Sequence, residues 1–125
     1  MQRLTSIAVL CLAIAVVVIA VLYAGPRPTP LPAFSTPYQA VLLDNGQVFY
    51  GKVSKLGSAF AEINDVYYIV QTADPQTKQT KPVLVKRGKE LHAPTLSYLN
   101  AHHIVMIEPV APDSEVGKLI AKSGS

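Results

Sequence analysis

The chain of 125 residues has no tryptophan, one cysteine and three histidines. A lone cysteine, Cys11, excludes an internal disulfide framework and a thiolate metal site. No catalytic or cofactor motif is present, and Ser97 lacks the Gly-x-Ser-x-Gly elbow that would expose a nucleophile. Dense basic runs are missing as well, with Lys86-Arg87-x-Lys89 the only cluster. A phosphate-binding surface needs several such charges on one face. The formal charge of +3 is also misplaced for that purpose: of eleven basic residues, Arg3 and Arg27 flank the apolar N-terminal segment. From Tyr38 onward nine Lys and Arg stand against eight Asp and Glu, so that part is close to neutral. There is no internal repeat.

What the chain does have is Leu4 to Ala24, 21 positions without a charge. A helix rising about 1.5 Å per residue would span about 30 Å there, the hydrocarbon thickness of a bilayer. Inside lipid a helix satisfies every backbone amide within the segment. The run exceeds the roughly 7–15 apolar residues of a cleaved secretory signal, and Leu22-Tyr23-Ala24 puts a bulky Leu where a small residue is preferred. Residues 1–24 are therefore read as an uncleaved transmembrane anchor. Arg3 before the helix, against a first following charge at Arg27, favours the N-terminus inside and the remainder outside. Ala8, Cys11 and Ala15, spaced three and four apart, form a small-residue stripe suited to contact with a partner helix.

Residues 25–37 hold five of the ten prolines and read as a Pro-rich linker. Alternate prolines hold the backbone extended at about 3.1 Å per residue, which makes a stalk some tens of Å long. About 85 residues remain, enough for one small domain. The reading places a small β-barrel at 38–112, a short amphipathic helix at 113–122 and a tail at 123–125.

Within the barrel, Ala40–Leu43 and Gln47–Lys55 flank Asp44-Asn45-Gly46, a hairpin signal. Phe49, Gly51 and Val53 share one face and, with Val41 and Leu43 opposite, make the expected core face. Gly51 in mid-strand suggests a bend or a close backbone approach. A third strand runs from Ala59 to Val70, with Ala61 and Ile63 inward and a kink at Asn64-Asp65. Ala73–Lys81 reads as a flexible loop and Pro82–Arg87 as a fourth, edge strand. Gly88–Asn100 fits either a short helix around Thr95–Leu99 or a loop. His102–Glu108 makes a fifth strand, and Asp113 is positioned to cap the final helix, with Val116, Leu119 and Ile120 on one side. Five short strands in sequence bury one face and lose their edges by curling into a barrel.

Val41-x-Leu43-x-x-Gly46-x-x-Phe49-x-Gly51-x-Val53 resembles the first motif of Sm-like proteins. Val83 to Gly88, with Arg87-Gly88, and His103-Ile104-Val105-Met106-Ile107 resemble their second. The resemblance implies a mainly β fold: transmembrane helix, Pro-rich stalk and small five-stranded Sm-like β-barrel with a short C-terminal helix. It does not carry the RNA site. Gly57-Ser58-Ala59-Phe60-Ala61-Glu62 supplies the family's aromatic but not its asparagine, and some fourteen extra residues separate the Arg-Gly turn from the last strand. The layout also resembles uncharacterised single-pass bacterial membrane proteins, through Asp44-Asn45-Gly46-Gln47-Val48, Asp65-Val66-Tyr67-Tyr68 and Glu90-Leu91-His92. That likeness implies the bacterial cytoplasmic membrane, with the barrel periplasmic or extracellular.

Adjacent histidines on a strand point to opposite faces, so His102 and His103 would not share a metal, and no metal or cofactor is expected. Tyr50, Phe60, Tyr67 and Tyr68 are candidate docking residues on the outer face, unless the C-terminal helix or residues 88–100 cover them. The functional expectation is a non-enzymatic accessory or scaffolding protein that presents its barrel to other membrane-protein subunits. The alternative is an Sm-like nucleic-acid-binding barrel facing the cytoplasm.

Overall fold

The computed structural model describes residues 1–25, 31 and 33–124. The chain divides into two units, Met1–Pro30 and Leu31–Ser125. The prolines at 26, 28, 30 and 32, on which the stalk reading rests, lie outside the described residues.

In the first unit, α1 runs from Gln2 to Tyr23 with no buried residue. It is long and apolar enough to cross a membrane, at a mean hydropathy of 3.0. Its two hydroxyls bond back to the helix: Thr5 Oγ1 and Ser6 Oγ both donate to the Gln2 carbonyl, at 2.8 and 2.9 Å. Such internal satisfaction keeps a polar side chain affordable in an apolar helix.

The second unit is a curled antiparallel sheet with a short helix. Its strands are β1 (Gln39–Leu43), β2 (Val48–Ser54), β3 (Phe60–Ala73), β4 (Thr80–Lys86), β5 (Leu96–Asn100) and β6 (Ile104–Pro109); α2 spans Glu115–Ser123. The order across the sheet is β4-β3-β2-β1-β6, with β5 pairing β3. The β1–β2 turn is tied by Leu43 N–H to the Gln47 carbonyl and Gly46 N–H to the Leu43 carbonyl, both 2.9 Å. Of Asn45 and Gly46, only Gly46 takes a positive φ, 82°. That is the usual form of a three-residue hairpin loop.

The expected core face is where the sequence pattern puts it. Val41, Ile63, Val66 and Leu99 form the buried cluster, and Leu43, Phe49, Val53, Ile104 and Ile107 pack against it. Gly51 is buried where β2 and β3 come closest: a Cβ there would lie 2.7 Å from Ile63 Cγ1 and 2.9 Å from the Asn64 carbonyl oxygen. The register of β2 against β3 shifts at this point, Lys52 pairing with Asn64 but Tyr50 with Tyr67. Asp65 and Val66 thus oppose the single residue Gly51. This is a β-bulge, and Asp65 sits in it at φ 49°. The extra residue reverses the phase of β3, so that Ile63 and then Val66 and Tyr68 face inward.

Several expectations are corrected. There are six strands, not five, and the sheet does not close into a barrel among the described residues. A 3-10 turn, Ala101–His103, carries the chain from β5 to β6 without pairing the two. Its ends are held by Ala101 N–H to the Ala59 carbonyl, 3.0 Å, and Asp44 N–H to the His103 carbonyl, 2.9 Å. The last strand accordingly begins at Ile104, not His102. Thr95–Leu99 is not a helix: Leu96–Asn100 is β5, laid against the first half of β3. Strand pairing extends to Ala73 and Thr80, which shortens the expected loop at 73–81 to a tight turn. The α2 cap is Ser114, whose hydroxyl accepts from Gly117 N–H at 3.1 Å, not Asp113. Ile120 is buried while Leu119 stays 38% exposed, so α2 docks by a narrow stripe.

The edge strand β4 carries Pro82, Lys81 and Lys86, residues that discourage further pairing.

Candidate docking surface and polar clusters

The bulge decides the fate of the aromatic residues. Tyr67 pairs with Tyr50 on the outer side of the sheet. Yet Tyr67 is only 1% exposed. The Tyr38 ring meets it edge-on at 6.2 Å, and Lys86 Nζ lies 5.5 Å from its centroid. α2 covers the same side further along: Ile69, Pro82 and Leu84 surround a cavity of about 100 Å³ with Glu115, Val116 and Leu119. Tyr67 is therefore a core residue and not part of an exposed patch.

The other three candidates separate into two places. Tyr68, turned by the bulge to the face of its partner Phe49 and so not on the outer face as expected, and Tyr50 on the outer face are both half-buried and border a groove of about 400 Å³ with Gly46, Gln47, Val48, Phe49 and Ile69. Burial pushes the Tyr50 phenol up from its ordinary pKa. Phe60 stands in the first half of β3 and is 56% exposed. Its cross-strand partner is Asn100, and the diagonal neighbour Tyr98 is 64% exposed. Beside them Lys55 Nζ meets Glu62 Oε1 at 2.6 Å, which raises the Lys55 pKa. In the first unit Ala8, Cys11 and Ala15 are exposed along one side of α1.

The polar cluster at the bulge is invisible to pattern reading. Asp65 accepts from the Tyr38 hydroxyl, and Lys86 Nζ and Lys52 Nζ lie 2.9 and 3.6 Å from its oxygens. Burial alone would raise the Asp65 pKa, but the Tyr38 and Lys86 hydrogen bonds and the Lys52 charge outweigh it, and the net direction is down. The Tyr38 phenol is pushed well above its ordinary range by burial and by the carboxylate it bonds. Lys52 also sits 5.2 Å from the Tyr38 ring centroid. The arrangement clamps the segment leading into β1 onto the bulge. Three further hydrogen bonds reinforce it: the buried Gln39 side chain donates to the Thr36 carbonyl at 2.6 Å and accepts from Val53 N–H at 3.0 Å, and Val110 N–H donates to the Tyr38 carbonyl. Each charged side chain of the cluster, Lys52, Asp65 and Lys86, is paired within it.

Another ion pair, Arg87 Nε to Glu90 Oε1 at 3.1 Å, closes the turn after β4, where Glu90 Oε2 also accepts from Gly88 N–H at 2.7 Å. Those backbone and charge contacts lower the Glu90 pKa. A further pair, His103 Nδ1 and Asp44 Oδ2 at 2.6 Å, joins the β1–β2 turn to the 3-10 turn. His102 and His103 therefore lie in a turn and not on a strand, and His92 is exposed in the segment before β5. Among the described residues no group of three His, Cys, Asp or Glu side chains could hold a metal ion.

Comparison with protein-family models and with curated proteins finds no match to this chain. The functional reading thus rests on its own residues.

Proposed function

We propose that this chain is a non-enzymatic, single-pass protein of the bacterial cytoplasmic membrane that presents its small β domain as an accessory or scaffolding subunit of a larger membrane assembly. The observation that carries the reading is the pairing of one helix long and apolar enough to cross a membrane, Gln2–Tyr23, uncharged from Leu4 onward, with a sheet domain that leaves Phe60 exposed. A large apolar side chain in water at the start of a strand gains by meeting a partner. Arg3 on the near side of the helix favours the β domain on the outer face, and residues 25–37 act as a spacer. An Sm-like origin of the sheet is supported by the inward placement of Phe49, Gly51 and Val53, after a hairpin glycine at 46. The family's nucleotide-contact asparagine is not matched, which favours a protein partner over RNA.

The test is purification of the full chain from its native membrane in a mild detergent. A partner of fixed stoichiometry is expected, with its yield reduced at least fivefold by Phe60→Ser or by Ala15→Leu on the small-residue side of α1, but not by Ala15→Gly. A chain that purifies alone, or nucleic acid as the recovered component, would overturn the reading.

A further inference from the structure

The open seam of the sheet holds a cleft that the docking reading does not use. Its volume is about 370 Å³, and Leu43, Asp44, Asn45, Tyr98, Leu99, Asn100 and His103 line it. That is within the roughly 300–1,000 Å³ of small-molecule sites. The cleft exists because β5 and β6 do not pair: the β1–β2 turn stands on one side and the end of β5 on the other, with the 3-10 turn as its floor.

Its polar groups are placed and partly idle. A carboxylate only accepts, so Asp44 Oδ2 holds a proton on His103 Nδ1 and leaves Nε2 open, to accept from a ligand in the neutral ring or to donate in the charged one. Asn100 Oδ1 is occupied by His102 N–H at 3.1 Å, which fixes the amide and turns Nδ2 into the free donor. Asp44 Oδ1, His103 Nε2, Asn100 Nδ2 and the Tyr98 hydroxyl have no hydrogen-bond partner among the described residues. Asn45 is spent on Gln47, through both its amide oxygen and its amide nitrogen. The apolar contribution comes from Leu43, Leu99 and the ring of Tyr98, 64% exposed.

The mixture selects among ligands. An anion would meet the Asp44 carboxylate. A metal ion would find two ligands where three or more are usual. An acyl chain would strand the polar rim unpaired. A sugar ring suits all of it, since its hydroxyls both donate and accept while its C–H face is apolar and flat enough to lie on an aromatic ring. We propose that this cleft binds a neutral pyranose unit of a saccharide chain, with Tyr98 as the platform and Asp44, His103 and Asn100 taking the hydroxyls. The cleft adjoins Phe60, whose cross-strand partner is Asn100 and whose diagonal neighbour is Tyr98, but it does not use the Phe60 side chain.

The experiment is an NMR titration of the full chain in phosphocholine micelles, because alkyl glycoside detergents present the proposed chemistry themselves. Maltotriose and chitotriose are the probes. At least one should shift the amides of Asp44, Asn100 and His103 saturably at millimolar concentration. Tyr98→Ala should weaken that binding at least tenfold, Tyr98→Phe less than threefold, and Phe60→Ala less than twofold. Unchanged spectra of the variants outside the cleft verify that they fold. The proposal fails if neither saccharide moves those amides, if Tyr98→Ala binds as the parent does, or if calcium or inorganic phosphate alone shifts them while the sugars do not.

Discussion

Gly51→Ala probes the crossing on which the sheet's curl depends. The added Cβ would lie 2.7 and 2.9 Å from Ile63 Cγ1 and Cδ1 and 2.9 Å from the Asn64 carbonyl oxygen. Ile63 is 1% exposed and held within the buried cluster, so it has no open space to turn into. The carbonyl is backbone in a bulge and moves only if β3 moves. Overpacking of this kind costs about 1–3 kcal/mol, and the reduced freedom of the unfolded chain returns about 0.4–1 kcal/mol. The expected net loss is about 1–2 kcal/mol, or about 4–16 °C in Tm for a domain of this size. Thermal unfolding followed by the β signal in circular dichroism reads it directly. Ile63→Val removes one of the three contacts, so the double variant should lose less than the sum of the single losses. Gly51→Ala with an unchanged or raised Tm would refute the close approach and the bulge built around it.

Asp65→Asn keeps a residue that tolerates positive φ but removes the charge shared by Lys86, Lys52 and Tyr38. The folded pKa lies below the unfolded value, so the stabilisation is complete above the ordinary Asp pKa of about 3.9 and lost as pH falls through the lower folded value. The variant should be less stable at neutral pH and show a shallower loss of Tm on acidification; equal slopes would refute the cluster's role. Ser114→Ala should cost about 0.5–2 kcal/mol by removing the α2 cap, whereas Asp113→Ala should lie within about 0.5 kcal/mol of the parent. The reverse order in a Tm comparison would place the cap one residue earlier.

Local chemistry made much of the fold legible. Alternation identified the inward residues of β1, β2 and the first half of β3, and Gly51 and Asn64-Asp65 announced the bend. What lay beyond reach depended on distant partners. The bulge adds one residue opposite Gly51, and that single step turns Tyr67 toward Tyr38 and Lys86, contacts no periodicity reveals. β5 was hidden because Gly88, Ala93 at φ 42° and Pro94 crowd the segment before it with turn signals. Asp113 and Ser114 are both good caps, and only the fold-back at Gly117, where a Cβ would sit 2.4 Å from the Ala111 carbonyl oxygen, selects the second. His103 and Asp44 are 59 positions apart, so the seam cleft had no local signature.

The central claim is that the β domain is tethered to a membrane by an uncleaved helix. Alkaline carbonate extraction of native membranes followed by intact mass measurement tests it most directly. The account predicts that the chain stays in the membrane pellet with a mass that includes the residues of the N-terminal helix, Gln2–Tyr23. A chain released into the supernatant, or one whose mass begins near Gly25, would contradict it.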